Sequence, residues 1–158
     1  MAHPKEEKTL IILKPDAVHR GVMGEVIARF ERKGLKVVGM KMIQLKDAML
    51  DAHYAHIADK PFFGGIKKFM QTSPVVVMAL SGVGAVDATR LIVGPTKGYE
   101  APAGTIRGDF SLSTQSNLVH ASDSVENGAV EVARFFTEDE LFDYKRNDFD
   151  FINAEEVF

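Results

Sequence analysis

The chain alternates between β-rich apolar runs and segments with helical spacing. "TLIILK" (9–14) is a β-rich run that stops at Pro15, which cannot donate to a sheet ladder. "GVMGEVIARFERKG" comes next, with Val22, Val26, Ile27 and Phe30 at helical spacing and Gly34 as its C-terminal stop. "LKVVGMKMIQL" (35–45) reads as a strand. Leu35, Val37, Ile43 and Leu45 fall on one face, and Val38, Met40 and Met42 on the other. Apolar residues on both faces predict that the second face is covered too, by another subunit. Residues 47–60 read as a short helix ended by Pro61, and "FFGGIKKFM" (62–70) begins another. "PVVVMAL" (74–80) is a buried strand and "AVDATRLIV" (85–93) a helix. Residues 94–116 show little periodicity and read as a long ordered loop, which in a compact domain is usually functional. "NLVH" (117–120) is the last strand. After it, Asp123 as N-cap and Glu126 three residues on form a capping box, and Val125, Ala129, Val132 and Phe136 make the buried stripe of a final helix.

The order β-α-β-(α α)-β-α-loop-β-α predicts an α+β fold of the ferredoxin-like α/β sandwich kind. Its sheet has four mostly antiparallel strands with helices on one face. No internal repeat or linker interrupts the chain, so residues 1–158 read as a single domain, with a core of about 8–146 and an extension over 147–158.

Composition changes this picture only by exclusion. The formal net charge of −3 suggests no general grip on nucleic-acid backbone, though a local basic pocket stays open. With no cysteine, disulfides, thiolate catalysis and zinc–sulfur sites are excluded, and a reducing cytosol fits. No signal-peptide core appears, and Val75 to Leu80 is too short to span a bilayer, so the expected setting is cytoplasmic.

The candidate chemistry is phosphate binding and one histidine. "GVGAVD" (82–87) sits between strand and helix, but its sixth position is Asp87, which repels phosphate where a dinucleotide fingerprint wants glycine. Any bound phosphates must therefore be held by side chains, and Lys14, Arg90, Thr96 and Arg107 are the candidates. Taken singly, each also reads as a solvated surface group. His120, in "NLVHASDS" (117–124), has four possible jobs: nucleophile, metal ligand, acid/base catalyst or surface residue. A neutral imidazole attacks phosphorus at physiological pH, and its phosphoramidate passes the group on, provided a neighbour fixes ring and tautomer. Glu131, two turns into the next helix, and Ser122 as a bridge are the candidate neighbours. His53 and His56 are a possible ligand pair without an obvious third ligand. Phe62 and Phe63 either stack on a flat ligand or pack in the core.

These motifs together resemble the nucleoside diphosphate kinase family. "NLVHASDS" is similar to its active-site signature. "LKPDAVHRGVMGEVIARFERKG", "HY" (53–54), "KPFF" (60–63), "SPVVVMAL", "GTIRGDF" and "LFDYK" resemble the family in order and spacing, over about residues 8 to 146. The resemblance implies γ-phosphate transfer from a nucleoside triphosphate to a nucleoside diphosphate, ATP and GDP among them. The route is ping-pong through phospho-His120, with broad base specificity. It implies that Glu131 and Ser122 orient the imidazole, and that Lys14, Tyr54, Thr96 and Arg107 surround the transferring and β-phosphates, with Arg90 a further phosphate ligand. Asn117 with Lys14 would meet the ribose hydroxyls, and Phe62 the base. Mg²⁺ would ride mainly on the nucleotide phosphates with Asp123 nearby. The implied assembly is a homo-oligomer, hexamer or tetramer, built from dimers, with no membrane and no specific nucleic acid as partner. A catalytically silent nucleotide- or partner-binding relative is the alternative. The chain departs from the family pattern at His56, usually acidic, and at Lys97-Gly98, usually Asn-Pro.

Overall fold

The structure, a computed structural model, describes residues 3–157, so the ends of the predicted domain, Met1, Ala2 and Phe158, lie outside the described residues. In chain order the main elements are β1 (Glu6–Leu13), α1 (Pro15–His19), α2 (Met23–Lys33), β2 (Lys36–Ile43), α3 (Asp47–His53) and α4 (Phe63–Met70). They continue with β3 (Val75–Val83), α5 (Ala85–Val93), α6 (Ile106–Phe110), β4 (Val119–Ala121), α7 (Val125–Phe135) and α8 (Phe149–Ile152). The four strands form one sheet in the order β2-β3-β1-β4, and every pairing is antiparallel. This is the expected ferredoxin-like sheet.

The sheet buries both faces, not one. Alternate residues of β1 point opposite ways. Ile11 and Leu13 join Val26, Phe30, Ala85 and Val93 beneath α2 and α5. Leu10 and Ile12 join Leu50, Met70, Val132 and Phe135 beneath α3, α4 and α7. Strand β1 is therefore apolar throughout its second half, as a strand covered on two sides must be.

In β2 the simple alternation fails. A bulge between Val37 and Gly39 inserts one residue and inverts the facing of the rest of the strand. Leu35 and Val37 join the α2/α5 core, while Val38, Ile43 and Leu45 join the other. Met40 and Met42 remain more than half exposed on an edge strand.

Helix α2 ends where predicted, with Gly34 at φ 105° in the left-handed region. The 94–116 segment is less irregular than its composition suggests. It holds a 3₁₀ turn at Gly98–Glu100 and the short α6, whose N-cap Thr105 accepts from the Gly108 N–H. The predicted cap of α7 shifts by one residue. Ser124, not Asp123, caps it by accepting from the Asn127 N–H, because Ser124 has the extended backbone that a cap needs. Its buried stripe is Gly128, Val132 and Phe135, while Val125 and Ala129 are exposed.

The extension docks on its own chain. Arg146 donates to the carbonyls of Leu35 and Glu31 and pairs with Asp148, and Ile152 packs over Gly34. Among the described residues no helix is long and apolar enough to cross a membrane.

Candidate active site

The short β4 and the loop before it bring the predicted residues together. Asn117, Leu118 and Val119 leave that loop in an unusual conformation: Leu118 is fully buried at φ 72°. Such a backbone persists only where neighbours over-determine it. Here the Leu118 N–H donates to Asp16 Oδ2 at 3.0 Å, and its carbonyl accepts from the Lys14 N–H at 2.8 Å. The end of β1 and the start of α1 thus hold the turn that aims Asn117 and His120.

One cleft of about 970 Å³ is lined by Lys14, Tyr54, Phe62, Arg90, Thr96 and Arg107, and by Asn117, His120, Asp123 and Glu131. Of the predicted residues only Ser122 does not line it, because it stands fully buried behind Glu131.

The histidine end is a chain of hydrogen bonds. His120 Nε2 lies 3.0 Å from Glu131 Oε2. A carboxylate only accepts, so Nε2 carries a proton, and in the neutral ring Nδ1 keeps a free lone pair. Ser122 Oγ donates to the same Oε2 at 2.6 Å, while the Leu10 N–H of β1 donates to that hydroxyl at 3.0 Å. The Leu10 amide thereby turns the hydroxyl proton toward Glu131. Ser122 does not bridge the pair, as its position in the sequence suggested; it reinforces a direct contact. Burial alone would raise the Glu131 pKa, but hydrogen bonds from His120 and Ser122 and the nearby imidazoles bring it down to about 2. Glu131 is therefore anionic through the physiological range.

The other end is cationic. Lys14 Nζ donates to Asn117 Oδ1 at 2.7 Å, and Asn117 Nδ2 donates to the Thr96 carbonyl at 2.9 Å. Burial, and then the Arg107 charge, lower the Lys14 pKa to about 8, against a smaller opposing effect of Asp16. Arg107 spends three donors on the carbonyls of Asn117, Gly94 and Val119, at 3.3, 3.0 and 2.6 Å, leaving two of its N–H groups. Burial and the neighbouring Arg90 lower its pKa to about 10. These are desolvated cations with unspent donors, an arrangement that an incoming polyanion relieves. Tyr54, raised to about 12 by burial and by Glu131, stays a neutral phenol able to donate. Phe62, more than half exposed, stands at the cleft edge, whereas Phe63 is buried, so the two aromatics divide between ligand face and core.

Residues 7–141 match the model of the family described as nucleoside diphosphate kinase. The nucleoside diphosphate kinase of Parabacteroides distasonis is 53% identical over 139 residues, 88% of this chain and 91% of that protein. Nucleoside diphosphate kinase A of Rattus norvegicus is 45% identical over the same shares of the two chains. The chain belongs to the nucleoside diphosphate kinase family. A halophilic nucleoside diphosphate kinase of Halobacterium salinarum, solved in complex with CDP, superposes with a TM-score of 0.90 at 38% identity, covering 93% of this chain and 98% of that one. The nucleoside diphosphate kinase family protein of Babesia bovis gives 0.89 at 41%, over 92% and 99%. The chain is accordingly an enzyme, a kinase of nucleotide metabolism.

Two departures from the family pattern take their places in the fold. His56 sits in the 3₁₀ turn Ala55–Ile57, exposed and on the cleft wall. Gly98 opens the turn after Lys97 and donates its N–H to the Ser113 carbonyl at 3.1 Å, so the replacement still supports an ordered loop.

Three site residues are not legible from spacing. Asp16 is hidden in "KPD" as an ordinary helix-start acid. His53 pairs with His56 in the sequence, but it is 6% exposed and packs on His120 instead. Arg134 reads as a surface cation of α7, yet its Nη1 lies 3.1 Å from His53 Nδ1. Nearest-neighbour spacing carries no signal for such contacts; only "HY" in the resemblance hints at His53. His53, His120 and Glu131 also bring ligand-type atoms within 4.8 Å of one another. The direct contacts within this cluster are the His120–Glu131 and Arg134–His53 hydrogen bonds.

Proposed function

We propose that His120 Nδ1 is the nucleophile that accepts the γ-phosphate of a nucleoside triphosphate and then gives it to a nucleoside diphosphate. The observation that carries this reading is the His120–Glu131–Ser122 arrangement, which leaves Nδ1 unprotonated on the wall of a cationic cleft. In the first half-reaction the Nδ1 lone pair forms an N–P bond as the bond from phosphorus to the β–γ bridging oxygen breaks. The nucleoside diphosphate leaves with that oxygen. The proton stays on Nε2, and Glu131 stabilises the charge that develops on the ring. The second half-reaction reverses these steps with another nucleoside diphosphate.

Phosphoryl transfer asks mainly for positioning and charge stabilisation, which Lys14, Arg90 and Arg107 supply to the phosphates, with Tyr54 and Thr96 beside them. Asn117 and Lys14 take the ribose hydroxyls. Phe62 stacks on the base and reads little of its edge, so purine and pyrimidine nucleotides both serve.

Two carboxylates line the cleft: Glu131, committed to His120 and Ser122, and Asp123, exposed and tied to Asn127 Nδ2 at 2.6 Å. That donor set is too sparse to cage a bare ion. It fits Mg²⁺ that arrives on the nucleotide phosphates, with Asp123 the residue that would hold it through water. When bound, Mg²⁺ neutralises phosphate charge. We also read the protein as a cytoplasmic homo-oligomer, hexamer or tetramer, built from dimers. The exposed Met40 and Met42 on edge strand β2 support the assembly, and light scattering tests it. No observation favours the catalytically silent alternative.

Incubation with γ-labelled ATP and Mg²⁺ should yield an acid-labile, base-stable protein phosphate that leaves on adding GDP. Label retained in His120→Asn, or none in the wild type, would overturn the assignment.

A further inference from the structure

His53 is the buried histidine of the cleft, next to His120. Its ring meets His120 edge to face, with centroids 4.6 Å apart and planes at 78°, and it also packs against the edges of Tyr54 and Phe135. On its far side stands Arg134 of α7, with Nη1 3.1 Å from His53 Nδ1. An arginine only donates and does not lose its proton in a protein. The contact therefore requires Nδ1 to present its lone pair, which leaves the single ring proton on Nε2.

We propose that Arg134 is a positioning residue for phosphoryl transfer: by donating to His53 Nδ1 it keeps that ring neutral and in one tautomer, and the ring in turn holds the His120 imidazole against Glu131. This inference rests on His120 being the nucleophile.

A charged His53 would undo the arrangement. A ring nitrogen of His53 lies within 4.8 Å of both a His120 ring nitrogen and a Glu131 carboxylate oxygen. A protonated His53 would compete with His120 for that carboxylate and place a second positive charge beside the attacking ring. Both effects weaken the nucleophile.

The groups that face His53 are His120 from β4, Glu131 and Arg134 from α7, and Tyr54 and His56 from the turn after α3. Burial first, then the charges of His120, Arg134 and His56, push its pKa down to about 3, against the opposing pull of Glu131. Arg134 is the one member of this set whose removal frees the ring nitrogen for a proton without altering the His120–Glu131–Ser122 contacts. It sits on α7, one turn beyond Glu131, and also lines the cleft, so an unchanged apparent ATP affinity is what separates an effect through the two imidazoles from a direct contact with nucleotide.

The test uses the full-length protein labelled with ¹⁵N-histidine, as wild type, Arg134→Leu and Arg134→Lys, each also in a His120→Asn background. His53 resonances are assigned by their loss in His53→Phe. In the wild type the His53 ring should stay neutral with its proton on Nε2 down to pH 5. In Arg134→Leu, which keeps the burial but loses the donated hydrogen bond and the neighbouring charge, the titration should move clearly upward from its wild-type position. The second readout is single-turnover phosphorylation by Mg·ATP across the same pH range. If protonated His53 disables the site, the silent fraction of Arg134→Leu at each pH equals the protonated fraction read from that variant's own His53 titration. Its rate constant relative to wild type should then fall as pH is lowered, about tenfold at one unit below the His53 midpoint measured in that variant, with apparent ATP affinity unchanged. Arg134→Lys, which still donates, should restore most of the ratio.

An unchanged His53 titration in Arg134→Leu overturns the proposal. So does a shifted titration with a flat rate ratio. Failure of the nucleophile assignment would appear separately, as label retained in His120→Asn, and would leave the His53 spectra in that background as predicted.

Discussion

Gly128 lies inside α7, where an alanine would ordinarily stabilise the helix by about 1 kcal/mol. The structure reverses that expectation. A Cβ at position 128 would meet the Lys8 carbonyl oxygen at 2.4 Å, with Thr9 Cα at 3.5 Å. Ordinary C···O contacts begin near about 3.3 Å, so something must yield by roughly 1 Å. Lys8 cannot, because β1 pairs with β3 there, at Ser81, and with β4 further along. Helix α7 must lift instead, loosening Val132 and Phe135 in the core. Overpacking of this kind costs about 1–3 kcal/mol, more against backbone, and the helix preference returns about 1. Gly128→Ala should therefore lose up to about 2 kcal/mol net, which at the upper end is a fall of about 4–8 °C in Tm for a chain of this length. Thermal unfolding without nucleotide or Mg²⁺, at two protein concentrations to separate dissociation from unfolding, measures it. Glu131 lies three residues further along α7, so the same lift should lengthen its 3.0 Å contact with His120 and slow phosphorylation. A variant that melts at or above the wild-type temperature would refute the reasoning, since the close approach to β1 would then cost nothing.

Other consequences are as direct. Glu131→Gln exchanges a charge-assisted hydrogen bond for a neutral one; at about 1.5–3 kcal/mol, histidine phosphorylation in stopped flow should slow about ten- to hundredfold, and an unchanged rate would remove Glu131 from the mechanism. Ser122→Ala strands the buried Leu10 N–H and should cost about 1–3 kcal/mol in urea unfolding, together with a slower transfer; a fully stable variant argues against that contact. Phe62→Ala should weaken purine and pyrimidine nucleotides alike, by about 1–3 kcal/mol of lost stacking, and a base-selective loss would contradict the reading of Phe62. His53 is depressed from 6.5 to about 3, so between those values the unfolded chain binds a proton that the native chain refuses. Its contribution is thus intact above pH 6.5 and lost as pH falls toward 3, at up to about 1.4 kcal/mol per pH unit, with Glu131 adding the same direction of loss as pH falls from 4.5 toward 2. His53→Phe should flatten the upper part of that slope in urea midpoints measured across pH; an unaltered slope would place the titration elsewhere.

Local pattern carries local consequences, and these are legible without coordinates. The span of α5 and the stop of α2 at Gly34 come from periodicity and from the backbone freedom of glycine. The residues that line the cleft are readable because a family motif preserves their order. His120 itself is ambiguous from spacing alone, and the resemblance makes it a nucleophile. What spacing cannot convey depends on a third dimension. The bulge in β2 re-sorts Val37 and Val38 into different cores, and a strand's alternation cannot announce an inserted residue. The second buried face of the sheet, the refusal of a side chain at Gly128 and the contact of Arg134 with His53 each join residues far apart in the chain. Sequence alone thus determined which chemical groups this protein has and the elements that carry them. Tertiary structure decided which of those groups share a proton or exclude water from one another, because hydrogen bonding and desolvation act over a few ångströms of space, whatever the separation along the chain.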